Sequence, residues 1–229
     1  MNALELYQSR RKTARIAGAL YVILALAMFP DMLRKSLIVA GDAAATGGNI
    51  LSHALLFRIS IFGDLVCETA FVFLVLCLYS LLKDVGREAA RLMVALVLVA
   101  VPIAMLNTSN ELAALALLHA NEPAQAMLFL GLYKDGALIA EIFFGLWLFP
   151  LGWLFFTSGF MPKTLGVLLM AGCFGYLADS FAGLVVPDWR ALTKQGVLLP
   201  ALAELATVFW LLAYGVKRPS RETLSVAVA

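Results

Sequence analysis

The chain of 229 residues is 62% hydrophobic and only 14% charged, with a formal net charge of +2 and a mean hydropathy of +0.92. A soluble domain carries about 25% charged residues, and a water-soluble fold of this size has no interior large enough for so much apolar surface. The composition therefore excludes an ordinary soluble domain and requires lipid around much of the chain, while the small charge excess gives no argument for a nucleic-acid partner.

A helical span needs about 20 apolar residues, and six runs reach roughly that length. Residues 1–13 form a basic segment, with Arg10, Arg11 and Lys12, ahead of the first span at Ala14–Met32. Basic residues, an apolar run and then Ala25-Leu26-Ala27 have the outline of a signal peptide; the apolar runs that follow make an uncleaved first helix the expectation. The connection Leu33–His53 comes next. Within it Gly41-Asp42 before Ala43-Ala44-Ala45 reads as a turn, an N-cap and a short helix, which Gly47-Gly48 should end. The expectation is a connector lying on the lipid surface, with a lid over an outward-facing cavity as the sharper alternative.

The remaining spans fall at Ala54–Leu82, Ala90–His119, Ala126–Phe156, Thr164–Val186 and Val197–Val216. The second, third and fourth exceed what a bilayer requires and should tilt or project from it. Pro102 should kink the third. Lys134, Asp135 and Gly136 interrupt the fourth; if they break it, Glu122–Tyr133 becomes a surface or re-entrant helix and the count rises to seven. The fold class expected is thus all-α, a polytopic transmembrane bundle of six spans forming one domain over residues 14–217, with a tail over 218–229.

Arginine and lysine set the orientation. Arg10, Arg11, Lys12 and Arg15, then Lys83, Arg87 and Arg91, then Lys163, then Lys217, Arg218 and Arg221 fall on one side; the other has Arg34, Lys35, Arg190 and Lys194. Both termini are expected in the cytoplasm. Cys67, Cys77 and Cys173 lie inside apolar runs without Cys-x-x-Cys spacing and read as small hydrophobes.

Ionisable groups inside spans are expensive and point to function. Asp64 and Glu68 lie in the second span, Glu111 in the third, Glu141 in the fourth, Asp179 in the fifth and Glu204 in the sixth. At about 1.5 Å per residue these acids stand roughly 18–30 Å from the cytoplasmic ends of their helices, which places them in one slab in the outer half of the membrane. Faces agree as well. Asp64 stacks with Glu68, and Asn107 with Glu111 beside Asn110; Tyr176 shares a side with Asp179, and Pro200 with Glu204 and Thr207. Gly172 and Gly175 permit close helix packing. Arg58 and Lys134 are the nearby bases in this reading. The expected ligand-binding set is Arg58, Asp64, Glu68, Asn107, Glu111, Glu141, Tyr176, Asp179 and Glu204, with Glu68 and Asp179 the candidates for a catalytic carboxyl. Against this stand ordinary structural roles: Asp64 and Glu68 bonding to Asn107 and Asn110 across helices, Asp179 as a satisfied core acid, Arg58 snorkelling to the surface, and Trp147, Trp153 and Trp210 as interface anchors or packing.

No His-x-x-x-His or Cys/His cluster, Gly-x-Ser-x-Gly elbow, phosphate-binding glycine loop or voltage-sensor arginine spacing occurs, so carboxylates are the chemistry available. Gly41–Thr46 with Asn49-Ile50 and Leu56-Phe57-Arg58, then Gly159–Leu169, then Gly175–Ser180, resemble a bacterial integral-membrane family catalogued only as a domain of unknown function. The similarity runs from about Arg15 to Lys217. It implies a multi-pass protein of the bacterial cytoplasmic (inner) membrane and brings no assigned site residues or cofactor, although Phe57-Arg58 and Tyr176-x-x-Asp179-Ser180 match its pattern.

Three functions follow as expectations. The first is binding or transport of a proton, cation or cationic small solute in a cavity between the second, third, fifth and sixth spans. The second is an intramembrane enzyme using carboxylic acids on a hydrophobic lipid or isoprenoid substrate, with Phe62, Phe143, Phe144 and Trp147 as walls. The third is a non-catalytic subunit or sensor.

Overall fold

A computed structural model describes residues 3–26 and 28–217, and among these every regular element is helical. The helices are α1 (Ala3–Leu26), α2 (Met28–Ser36), α3 (Ala43–Ser52), α4 (Ala54–Leu82), α5 (Arg87–His119), α6 (Pro123–Leu146), α7 (Leu148–Thr157), α8 (Lys163–Val185), α9 (Arg190–Gly196) and α10 (Leu198–Ala213), with a 3-10 turn at Pro187–Trp189. The tail expected at 218–229 lies outside the described residues.

Five stretches are long and apolar enough to cross a membrane: α4, α5, α6 with α7, α8, and Pro187–Ala213. Arg10, Arg11, Lys12 and Arg15 keep the described length of α1 out of that group. Helix α1 nonetheless packs into the bundle, with Ala14, Ala17 and Tyr21 buried. Together α1, α4, α5, α6, α8 and α10 form a closed ring, each against the next and α10 back against α1.

Local chemistry sets the helix ends. Helix α5 closes on Asn121, whose φ of 62° is left-handed. The Glu122 N–H bonds to the Leu117 carbonyl at 2.9 Å and the Asn121 N–H to that of Leu118 at 3.1 Å, the crossed pair that terminates a helix in a left-handed residue. Proline explains two interior breaks. It has no N–H to offer the carbonyl four residues back and its ring presses on that carbonyl; Pro150 and Pro200 thus interrupt the ladder at Trp147 and Val197, where the helices are discontinuous.

The first of these breaks corrects the sequence reading of the fourth run. Lys134-Asp135-Gly136 does not divide it, since α6 runs through them. Gly136 is there for close approach: a Cβ at this position would collide with the Asn107 side chain of α5. The bundle also tolerates Pro102, which sits inside a continuous α5. As the glycines of the fifth run suggested, α8 meets α10 closely; a Cβ on Gly172 would lie 2.9 Å from Pro200.

The connection after the first span also differs from expectation. Asp42 caps α3 as its sequence implies, its carboxylate accepting the Ala45 N–H at 2.8 Å. Gly47-Gly48, however, does not end the helix. Gly47 faces Leu118 of α5, where a Cβ would come within 2.9 Å of a methyl, and α3 continues to Ser52. With Thr46, Gly47 and Ile50 buried, α3 rests on α4, α5 and α6. Ile50 joins Leu37, Phe57, Ile61, Ala114, Leu115 and Leu118 in a second apolar core at this end of the bundle. An Asp42→Ala substitution removes the cap and should cost about 1 kcal/mol; thermal unfolding of the purified chain in detergent checks it.

Candidate functional site

The ring of helices lines a partly open cavity of about 500 Å³. Helix α4 contributes Asp64, Cys67, Glu68 and Phe71 on one stripe at helical spacing. Helix α5 contributes Ala104, Asn107 and Thr108; α6 contributes Tyr133, Ala137, Ala140, Glu141 and Phe144; Trp147 at the break, Tyr176 of α8 and Glu204 of α10 complete the walls, with Leu24 and Lys35 from the first part of the chain. All six helices of the ring therefore reach the cavity. The sequence reading limited it to four spans.

At one end α2 closes over the helices with a buried arginine. The Arg34 guanidinium donates to Asp64 Oδ2 at 2.7 Å and to Glu111 Oε2 at 3.0 Å through Nη1, and to the Tyr133 hydroxyl at 2.9 Å through Nη2. It also lies 5.0 Å from the centre of the Tyr133 ring. The Arg34 and Glu111 side chains are 3% and 1% exposed and Asp64 is 19% exposed, so the cluster is largely closed to water. Burial works against the guanidinium charge, but the oxygens of Tyr133, Glu111 and Asp64 outweigh it and hold the Arg34 pKa above the usual arginine value. Three spans, α4, α5 and α6, are tied together through this one side chain.

Toward the other end, Glu204 accepts two phenolic hydrogen bonds: Tyr21 of α1 donates to Oε1 at 2.7 Å and Tyr176 of α8 to Oε2 at 3.1 Å. Tyr21 packs on Trp147 with ring centres 6.4 Å apart. Phe71 meets Trp147 edge-on at 4.9 Å and stacks on Phe144 at 5.7 Å. Glu68 follows Asp64 by one turn of α4 on the cavity side, and its Oε2 is buried without a hydrogen-bond partner. Glu68, Glu141 and Glu204 form no ion pair among the described residues. Nor do three His, Cys, Asp or Glu side chains among those residues come close enough to hold a metal ion.

The residues singled out from sequence thus separate into groups. Asp64, Glu68, Asn107, Glu141, Tyr176 and Glu204 line the cavity, and Glu111 joins it through Arg34. Asp179 is not among the lining residues; it accepts the Thr193 hydroxyl of α9 at 2.9 Å and lies near enough to Glu141 for the two charges to interact. Arg58 is exposed on α4, and Lys134 is exposed as well; neither balances the acids. Asn107 and Asn110 do not bond to Asp64 or Glu68: Asn107 donates to the Tyr133 carbonyl at 2.7 Å, and Asn110 to Asn107 Oδ1 at 3.0 Å. Of the aromatic walls, Phe144 and Trp147 line the cavity, whereas Phe62 is 67% exposed. Sequence reasoning missed Arg34, Tyr21, Tyr133 and Phe71. The charge deficit among the acids was the signal for a missing base.

Comparison with known proteins gives an address without an activity. A family model described as Domain of unknown function (DUF4386) matches residues 16–215. An uncharacterized protein of Archaeoglobus fulgidus is 35% identical over 82 residues, which cover 34% of this chain and 46% of that protein, so the match spans less than half of the relative's length. No solved structure matches the chain.

Proposed function

The chain belongs to the family described as Domain of unknown function (DUF4386), and for this member of it we propose binding, and passage through the membrane, of a small organic cation with an apolar body. The observation that carries the reading is the division of labour inside the cavity. Arg34 is occupied with Asp64 and Glu111, while Glu68, Glu141 and Glu204, from three different helices, form no close ion pair among the described residues, Glu141 feeling the more distant charge of Arg190. The wall beside them is Phe71, Phe144 and Trp147. A cation over an aromatic face gains about 0.5–2 kcal/mol, and a carboxylate supplies the balancing charge. The volume of about 500 Å³ falls in the range of small-molecule sites. Among the described residues no three such acids come together closely enough to hold a metal ion, which needs several ligands within bonding distance; an organic cation has no such requirement.

In this reading α1 is the first of six spans and both termini are cytoplasmic in a bacterial inner membrane. The concentration of basic residues at one end supports the orientation. Arg10 lies 4.7 Å from the Phe160 ring, and Gly86 in the α4–α5 turn meets Trp153 of α7, so the N-terminal segment and two basic turns share that end.

Tetraphenylphosphonium is a suitable probe. It is expected to raise the thermal midpoint of the detergent-purified chain, and Glu68→Gln and Glu141→Gln should each weaken its binding about tenfold, the equivalent of about 1.4 kcal/mol. Sodium or potassium acting as well as the organic cation would overturn the apolar-body part of the proposal. Equal binding by wild type and both variants would overturn the site. The Phe71–Phe144–Trp147 wall favours, as a second reading, acid–base catalysis on a lipid or isoprenoid substrate through a sheltered carbocation; product formation lost in the same glutamate variants would select it.

A further inference from the structure

The basic end of α1 carries a feature the cavity does not use. Gln8, Arg11, Lys12, Arg15, Ile16 and Ala19 line a groove of about 460 Å³ along one face of the helix. Their spacing follows the i, i+3, i+4, i+7 stripe, so the groove is about 16 Å long. Its chemistry changes along that length, with a polar end of one amide and three cations and an apolar end of Ile16 and Ala19. Arg10 is not part of it, being turned to Phe160. Arg11, Lys12 and Arg15 form no ion pair among the described residues, and Arg11 Nε is buried there without a hydrogen-bond partner. Arg15 reaches only the Ala213 carbonyl, at 3.5 Å, too far for a strong bond. Three cations within about 6 Å of helix, one of them with an orphaned donor, lack a counter-charge among the described residues at the point where α1 turns apolar.

We propose that this groove binds an anionic phospholipid, its phosphate held by Arg11, Lys12 and Arg15 and the start of an acyl chain lying along Ile16 and Ala19. Charge complementarity selects an anion. The continuous apolar half selects a lipid over free phosphate, which would use only the polar half. Basic clusters beside a span attract anionic headgroups for the same electrostatic reason.

The test is native mass spectrometry of the full chain in detergent with equimolar phosphatidylglycerol and phosphatidylcholine. Wild type should retain phosphatidylglycerol about tenfold over phosphatidylcholine. Lys12→Gln/Arg15→Gln, which changes only exposed side chains and leaves the packed Arg11 in place, should bring that ratio close to unity with an unchanged thermal midpoint. Lys83→Gln/Arg87→Gln, on the neighbouring α4–α5 turn, should leave the ratio as in wild type. An equal loss in that second pair would overturn the proposal in favour of general surface charge. So would displacement of the lipid by millimolar inorganic phosphate, which would make this a free-anion site.

Discussion

Replacing Arg34 with glutamine should lower the unfolding free energy by about 3–5 kcal/mol, the usual cost of removing one partner from a buried ionic cluster. The side chain is 3% exposed and bridges Asp64 at 2.7 Å and Glu111 at 3.0 Å, with Tyr133 at 2.9 Å completing the fork. Glutamine removes the cation from between two carboxylates. The larger burden falls on Glu111, which is 1% exposed against 19% for Asp64. The order of effects follows: Arg34→Gln should exceed Asp64→Asn, and Arg34→Gln/Glu111→Gln should recover part of the loss, because the uncompensated charge goes with the second change. Thermal unfolding in one detergent measures these three variants, and Glu111→Gln closes the double-mutant cycle with Arg34→Gln. A coupling energy near zero would show that Arg34 and Glu111 are held independently and that α2 is not anchored by the cluster.

That cluster also marks where the sequence stopped being informative. Long apolar runs announce themselves by composition, so α4, α5, α6 with α7, α8 and α10 were legible, as were the Asp42 cap and the close approach at Gly172. Arg34 was not. It belongs to a nine-residue amphipathic helix in a segment of modest hydropathy, and a basic residue there reads as an outer-loop charge. Only the packing of α2 against α4 turns it inward. The partner of Asp179 was hidden for a related reason: Thr193 sits 14 residues later, in a stretch that reads as loop. The break in the fourth run was misplaced because charge was weighed above backbone chemistry. Lys134 and Asp135 point outward from an intact helix, whereas Pro150 acts through the carbonyl of Leu146, four residues before it. Glycines misled in the same way. Gly47-Gly48 has the composition of a stop, but Gly47 serves contact with Leu118.

Contact of that kind is most demanding between α7 and α8, where Gly152→Val should cost about 3 kcal/mol. A Cβ at Gly152 would stand 2.5 Å from the Gly166 carbonyl oxygen and 2.8 Å from the Met170 nitrogen, and one at Gly166 would stand 2.6 Å from the Gly152 carbonyl oxygen and 2.8 Å from the Phe156 nitrogen. Every one of these atoms is backbone, so no rotamer can relieve the overlap and the helices must separate. Small residues let membrane helices gain dispersion energy by close approach, and in lipid there is little hydrophobic drive to replace it. The consequence reaches the cavity. Helix α7 begins immediately after Trp147, which lines the site and packs on Phe71 at 4.9 Å; moving α7 moves that wall. Gly152→Val should therefore lower both the thermal midpoint and tetraphenylphosphonium binding. Gly131→Ala, with nothing within 4 Å of the added methyl, should leave binding unchanged and stabilise α6 by about 0.5–1 kcal/mol. If Gly152→Val lost stability but bound the probe as wild type does, Trp147 would be positioned by its contacts within the ring alone, and the α7–α8 seam would be structural without bearing on the site.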